Sequence, residues 1–281
     1  MSRPVANTKR LKAPAVAIPI LLISLVFIFP FYWLVVSAFK TRAQIFTIPP
    51  QFIPSPVVME NFKNLVDSTV MVRAFFNSSV VAVGHVALAL VLCSLAGYAF
   101  AKYKNAPGRD VLFALVMGTM MIPAAVTMIP VFVVLSEIRL VNTHWAMIVP
   151  GAANAFGIFW MRQYISSNVP DDLIASARID GCSEFGIYWR IVMPVCAPAL
   201  GALGILVLIG IWNNLLWAFI VMRTEDMYTL PLLIYLLQGE LRTPYGMVMA
   251  CGVITTLPLI LGFLFFQRSF VRGMTAGAVK G

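Results

Sequence analysis

Two stretches of this sequence hold side chains that could do more than pack. Asp171 to Gly181, DDLIASARIDG, carries four charges in eleven residues, between long apolar runs. Trp212-Asn213-Asn214 sets two adjacent amides beside an indole deep in such a run. Amides donate and accept hydrogen bonds, and aromatic faces suit the C–H faces of sugars. These residues could line a polar path or hydrogen-bond between helices; Asn154 is a further candidate of the same kind. Nothing points to enzymic chemistry. His85 and His144 lie far apart, and the four cysteines have neither metal-ligand spacing nor a disulfide framework. Cys93, Cys182, Cys196 and Cys251 read as small packing residues.

The elements that must position these side chains are membrane spans. Hydrophobic residues make up 60% of the 281 and charged ones 11%, against roughly 25% charged in a soluble domain. Such a chain cannot cover itself with polar surface in water. About 20 apolar residues cross a bilayer, and six segments pass that length test: Ala13–Ala38, then about Phe76–Ala101, Val111–Leu135, His144–Ile165, Ala197–Val221 and Met247–Gln267. The first apolar run is too long for a signal-peptide core and reads as an uncleaved span. The expected fold class is therefore an all-α membrane protein of six transmembrane helices. It divides into an N-terminus at 1–12, a permease domain at 13–267 holding a loop at 166–196, and a tail at 268–281.

The net charge of +9 follows this topology and implies no nucleic acid partner. Segments 1–12, 102–110, 166–196 and 268–281, with Arg162, hold thirteen of the twenty Lys and Arg, and the opposite loops hold seven. The excess of basic residues in short loops marks the cytoplasmic side. Both termini and the 166–196 loop are thus expected in the cytoplasm. By this reading the six spans carry no ionisable residue near their centres, and His85 is a packing or hydrogen-bonding residue. That argues against ion-coupled transport, because buried charge marks such pathways. Pro123, Pro130, Pro150 and Pro258 lie within the spans and permit either static kinks or hinges.

The charged stretch has the marks of a short helix–turn–helix. Pro170 suits a first helical turn, Asp171 and Asp172 complement the helix dipole, Gly181 ends the helix and Ser183 can cap a second one. Leu173, Ile174 and Ala177 form an apolar stripe. A loop too short for its own core, with such a stripe, is built to dock on a partner.

This segment, VPDDLIASARIDGCSEFGIYWRIVMPVCAP, resembles the cytoplasmic "EAA" loop of binding-protein-dependent ABC importer permeases. Pro170, Asp172, Leu173, Ala177, Asp180, Gly181, Ile191 and Pro194 match or nearly match that pattern, whereas Ala175 stands where Glu is usual and Ser176 where Ala is. The departure removes any salt bridge from the namesake acid. Pro30 to Lys40, MIPAAVTMIP, WNNLLW and the tail QRSFVRGMTAGAVKG resemble further family segments in the same order, the tail pointing to the carbohydrate branch and its second-permease type.

The resemblance implies a type I importer permease fold in a bacterial or archaeal plasma membrane. It implies a second, homologous permease, two ATPase subunits that bind ATP and Mg, and an extracytoplasmic sugar-binding protein. This chain would need no cofactor or metal, and it has no Walker A sequence of its own. The resemblance makes Asp172, Leu173, Ala177, Arg178, Asp180, Gly181 and Ser183 candidates for ATPase coupling. Asn154, Trp212, Asn213 and Asn214 are candidates for the substrate path. Gln238 and Glu240, in the external loop Met222–Tyr245, are candidates for binding-protein contact. The solute is expected to be a neutral di- or oligosaccharide. A glycerol phosphate-type solute, an ATP-independent carrier and a membrane scaffold stand as alternatives.

Overall fold

A computed structural model describes residues 13–239 and 243–275. Among these residues the chain is all helix and turn, with no strand. In order come α1 (Ala13–Ala38), α2 (Arg42–Ile45), α3 (Glu60–Ser68), α4 (Met71–Lys102), α5 (Arg109–Gly118), α6 (Ala124–Glu137), α7 (Trp145–Ile148) and α8 (Ala155–Asn168). Then follow α9 (Asp171–Ile179), α10 (Glu184–Ile187), α11 (Met193–Val195), α12 (Ala197–Trp212), α13 (Leu215–Val221), α14 (Leu230–Gln238) and α15 (Tyr245–Thr275).

Three of the six expected spans are unbroken. Ala17–Ala38, Met71–Lys102 and Tyr245–Leu264 are each long and apolar enough to cross a membrane. α1 turns its side chains outward, with Val26 and Phe27 at 71% and 73% exposure, as a helix bathed in lipid would.

The other three expected spans break, each at residues with a reason to break it. Pro123 has no N–H to donate and pushes Ile122 to an extended backbone (φ −88°, ψ 118°). The helices on either side of it diverge by 105°. The stretch from His144 to Ile165 is not one helix. α7 stops at Ile148, Gly151 takes a left-handed turn (φ 74°), and Asn154 starts α8 by accepting from the Gly157 N–H. Pro150 therefore sits beyond a helix end and kinks nothing. The fifth span breaks at Asn213–Asn214, where Asn214 caps α13 through the Trp217 N–H. Pro258, by contrast, stays inside the continuous α15.

α4 organises the molecule. Its buried face runs Ala74, Ser78, Ala82, His85, Ala89, Cys93, Gly97 and Ala101, a spacing of three to four that lines up on one side of a helix. Most of these residues are small, so α8 can approach closely. A Cβ on Gly97 would come within 2.6 Å of Met161 Cβ, and one on Gly157 within 2.6 Å of Cys93 Sγ. Two apolar cores result. One gathers Leu65, Met71, Val81, Trp217 and Leu230 toward the loops at 39–70 and 222–229. The other gathers Tyr98, Met161, Ile165, Ile174, Ile187 and Tyr188 toward the 166–196 loop.

Candidate functional site

The charged loop folds as a helix, a glycine turn and a second helix. Pro170 lies just before α9 in extended conformation (φ −62°, ψ 143°), outside the first turn in which it was expected. Gly181, at φ 79°, closes the C-terminus of α9. Its N–H donates to Arg178 O and the Cys182 N–H donates to Ala177 O, each at 3.0 Å. Crossed bonds of this kind are the Schellman closure. Ser183 Oγ accepts from the Gly186 N–H at 3.2 Å and caps α10. A π-helical turn (Tyr188–Val192) and α11 follow, and the chain then bends 80° into α12.

The expected docking stripe splits into two faces. Ile174 and Ala177 are buried in the chain's own core, so Ala177 packs inward and is not part of an outward stripe. Leu173 remains exposed, and Ile179 and Phe185 join it at 87% and 64% exposure. Ile179 and Phe185 escape notice in the sequence because they do not share a helical repeat with Leu173. The turn at Gly181 brings the two helices together.

Two ionic clusters tie the loop to the end of α4. Lys102 Nζ and Lys104 Nζ each lie 2.6 Å from the Asp171 carboxylate, and Lys102 also donates to Val169 O at 2.5 Å. Glu184 accepts from Arg178 Nε at 2.5 Å and from the Tyr98 hydroxyl at 3.0 Å. Hydrogen bonds from Lys102 and Lys104 hold the Asp171 carboxyl down at about 2. The Arg178 guanidinium, with the phenols of Tyr103 and Tyr98, does the same for Glu184, also at about 2. Arg178 is therefore engaged within the chain, whereas Asp172 and Asp180 are exposed. Lys102, Lys104 and Tyr98 entered the sequence reading only as topology markers or apolar residues. Their pairings span 67 to 86 positions, which no local pattern reports.

The substrate-path candidates separate as well. Trp212 is 5% exposed, and its Nε1–H donates to Thr255 O at 3.1 Å. It braces α12 on α15 and lines no cavity described here. Asn154 and Asn214 line one cavity of about 330 Å³, together with His85, Trp217 and Gly210. Asn213 and Asn214 line a second, of about 600 Å³, with Gly210, Phe219 and Tyr235. Tyr235 also borders a third, of about 350 Å³, where Gln238 lies. Shared walls at Gly210, Asn214 and Tyr235 link the three along α12, α13 and α14. Asn213 itself donates to Ile209 O at 2.9 Å. Among the described residues, none that lines the three is Asp, Glu, Lys or Arg. Glu240 lies outside the described residues.

His85 corrects the expectation that span centres hold no ionisable side chain. It sits mid-helix in α4 and borders the first cavity. Trp217 and Tyr235 were not singled out in the sequence, where aromatic residues are too common to mark a wall. No cluster of three or more His, Cys, Asp or Glu able to hold a metal exists among the described residues.

Residues 93–276 match the family described as binding-protein-dependent transport system inner membrane component. The arabinooligosaccharides transport system permease protein AraQ of Bacillus subtilis is 36% identical over 264 residues, covering 93% of each chain. Its namesake from Halalkalibacterium halodurans is 36% identical over 266 residues, 92% of this chain and 93% of the relative. The lactose transport system permease protein LacG of Rhizobium radiobacter is 35% identical over 90% of this chain and 91% of its own. Among solved structures, a bacterial ABC transporter that imports the acidic polysaccharide alginate has a chain with TM-score 0.80 at 22% identity, covering 96% of this chain and 100% of that one. At that identity the likeness establishes the fold, which is that of a type I ABC importer permease. By sequence and by fold, the chain belongs to the family of inner membrane components of binding-protein-dependent transport systems.

Proposed function

We propose that this chain is a permease subunit of an ATP-driven importer of neutral di- or oligosaccharides. It forms half of the translocation path, and a second, related permease forms the other half. Two ATPase subunits, which bind ATP and Mg, supply the energy, and an extracytoplasmic binding protein delivers the sugar near the Met222–Tyr245 loop and Gln238. Both termini face the cytoplasm.

The observation that carries this reading is the build of the 170–194 loop. Its inner face, with Ile174, Ala177, Ile187 and Tyr188, is rooted in the core below α4 and α8. Its outer face presents Leu173, Ile179 and Phe185. A partner gripping the outer face would move the inner one, and with it the helices that border the cavities. The sugar class is supported by relatives named for arabinooligosaccharides and lactose. It is also supported by cavity walls of amides and aromatic rings without a cation to hold a phosphate or carboxylate.

Gly181 tests the coupling. A Cβ there meets open space, but the backbone is left-handed, a conformation that costs a residue other than glycine about 1–2 kcal/mol. In the reconstituted complex, Gly181→Trp should abolish both sugar-stimulated ATP hydrolysis and uptake while the subunits still co-purify. Wild-type stimulation and uptake in that variant would show that the turn couples nothing.

A further inference from the structure

We infer that the cavity between α4, α8 and α12–α13 is a binding subsite for one uncharged sugar unit, with His85 as its hydrogen-bond acceptor. This rests on the sugar-importer reading and adds a residue and a polarity to it.

The argument begins with where α7 ends. Its last turn leaves carbonyls without helical partners, and the His85 ring bonds one of them, Ile148 O, through Nδ1 at 2.8 Å. A carbonyl can only accept, so Nδ1 carries the proton. In the neutral ring the remaining nitrogen, Nε2, is then an acceptor. The same bond fixes the ring's orientation at the cavity wall. An ionisable side chain in the middle of a span is a functional candidate by default.

The two amides opposite are committed in the complementary sense. Asn154 uses its Oδ1 for the Gly157 N–H at 2.7 Å, and Asn214 uses its Oδ1 for the Trp217 N–H at 3.2 Å. What each has left to present is an NH₂ donor. Asn154 Nδ2 is only loosely engaged, at 3.5 Å from Gly151 O and 3.8 Å from Cys93 Sγ. The lining residues thus include two amides with donors to spare and one ring with an acceptor, alongside Trp217 and aliphatic side chains. A hydroxyl accepts and donates at once, so a ring bearing several hydroxyls meets all three groups. A carboxylate could use the donors but would meet the His85 acceptor, and no Lys or Arg is among the described residues that line the cavity. At about 330 Å³ the cavity lies at the small end of ligand pockets, which run roughly 300–1,000 Å³. It suits one unit of a chain whose next unit lies past Gly210 and Asn214 in the larger cavity.

Gly210 supplies the reporter. It borders both cavities, and a Cβ there meets nothing within 4 Å. Cys93, Cys196 and Cys251 are buried and Cys182 is exposed, so a Gly210→Cys, Cys182→Ser complex directs a small methanethiosulfonate reagent to the cavity. Arabinotriose is the probe and trigalacturonate the charged control. Arabinotriose should slow labelling and trigalacturonate should not. His85→Phe should raise the half-protecting arabinotriose concentration roughly tenfold, the scale of one lost hydrogen bond. His85→Gln, which keeps an acceptor, should recover part of the loss. The labelling rate without sugar reports whether each variant is folded.

Equal protection in His85→Phe would overturn the role of His85, and equal protection by the uronate would overturn the polarity without any variant being needed. Uptake of arabinotriose by the unsubstituted complex separates the two levels. Uptake without protection overturns the subsite alone. Neither uptake nor protection overturns the sugar reading with it.

Discussion

The two ends of α4 are anchored by different chemistry. At the Lys102 end, charged groups do the holding: Lys102 on Asp171, and Tyr98 on a Glu184 shared with Arg178. At the Met71 end the anchor is neutral. Asn77, fully buried, donates through Nδ2 to Asp226 O at 2.8 Å and to Tyr228 O at 2.9 Å, while its Oδ1 accepts from His144 Nε2 at 2.9 Å. One end uses ions whose carboxylates are half-exposed, with Lys102 alone among the cations buried at 4% exposure, the other a buried amide against backbone carbonyls. Exposed ion pairs contribute about 0–1 kcal/mol each and weaken with salt. A buried donor–acceptor set costs about 1–3 kcal/mol for each group left unpaired. The Met71 end should therefore be the fixed end of α4, and the Lys102 end the one that can let go and re-form, which is where the ATPase is proposed to act.

Between the two ends lies the contact that both depend on. Gly97→Leu should have the largest effect, because its Cβ would sit inside normal contact distance of Met161. Overpacking of this kind costs about 1–3 kcal/mol or more, read as a fall in the melting temperature of the detergent-solubilised complex. An unchanged melting temperature would mean that α4 and α8 are not held as described. Asn77→Leu should come next, at about 1–3 kcal/mol, since it strands two carbonyls and one ring N–H. It should expose the loop at 224–229 to protease. If Asn77→Leu proves no more harmful than a change at the Lys102 end, the contrast between the ends collapses.

The smallest effects belong to the charged end. Glu184→Gln and Asp171→Asn should each shift stability by under about 1 kcal/mol, yet lower the ratio of sugar imported to ATP hydrolysed. A large loss of stability from either would make the clusters structural anchors like Asn77. Their pH response has a definite sign. Both carboxyls lie near 2 when folded, below ordinary values of 3.8 and 4.5. Groups lowered on folding stabilise fully above the unfolded value and lose that contribution as pH falls through the folded one. Stability from these clusters should therefore be flat above about pH 5 and decline between roughly 4.5 and 2. Glu184→Gln should flatten part of that decline in an acid titration of the complex.

Much of this was legible in the residues themselves. Long apolar runs mark the spans because a bilayer tolerates little else. Pro170, the paired acids, Gly181 and Ser183 mark a helix, a stop and a second helix because each of those residues acts within its own turn. What escaped was every property that joins distant segments. Trp212 and Asn214 are two positions apart and look alike as path residues. One is buried against α15 and the other caps α13 at a cavity wall, and only the course of α12 decides which. Ala177 and Leu173 are a helical turn apart in one apolar stripe, and the body beneath them buries one and leaves the other in view.

The sequence by itself determined that this chain lives in a membrane and that a charged hairpin of helices interrupts its apolar spans, because hydropathy, proline, glycine and capping chemistry all act over a few residues. Only the tertiary structure decided that Asp171 and Glu184 hold the end of α4, that Leu173, Ile179 and Phe185 stay exposed on the loop, and that His85 shares a cavity lining with two amides. Those contacts join segments about seventy residues apart or more, and their partners are selected by helix packing, which no local pattern encodes.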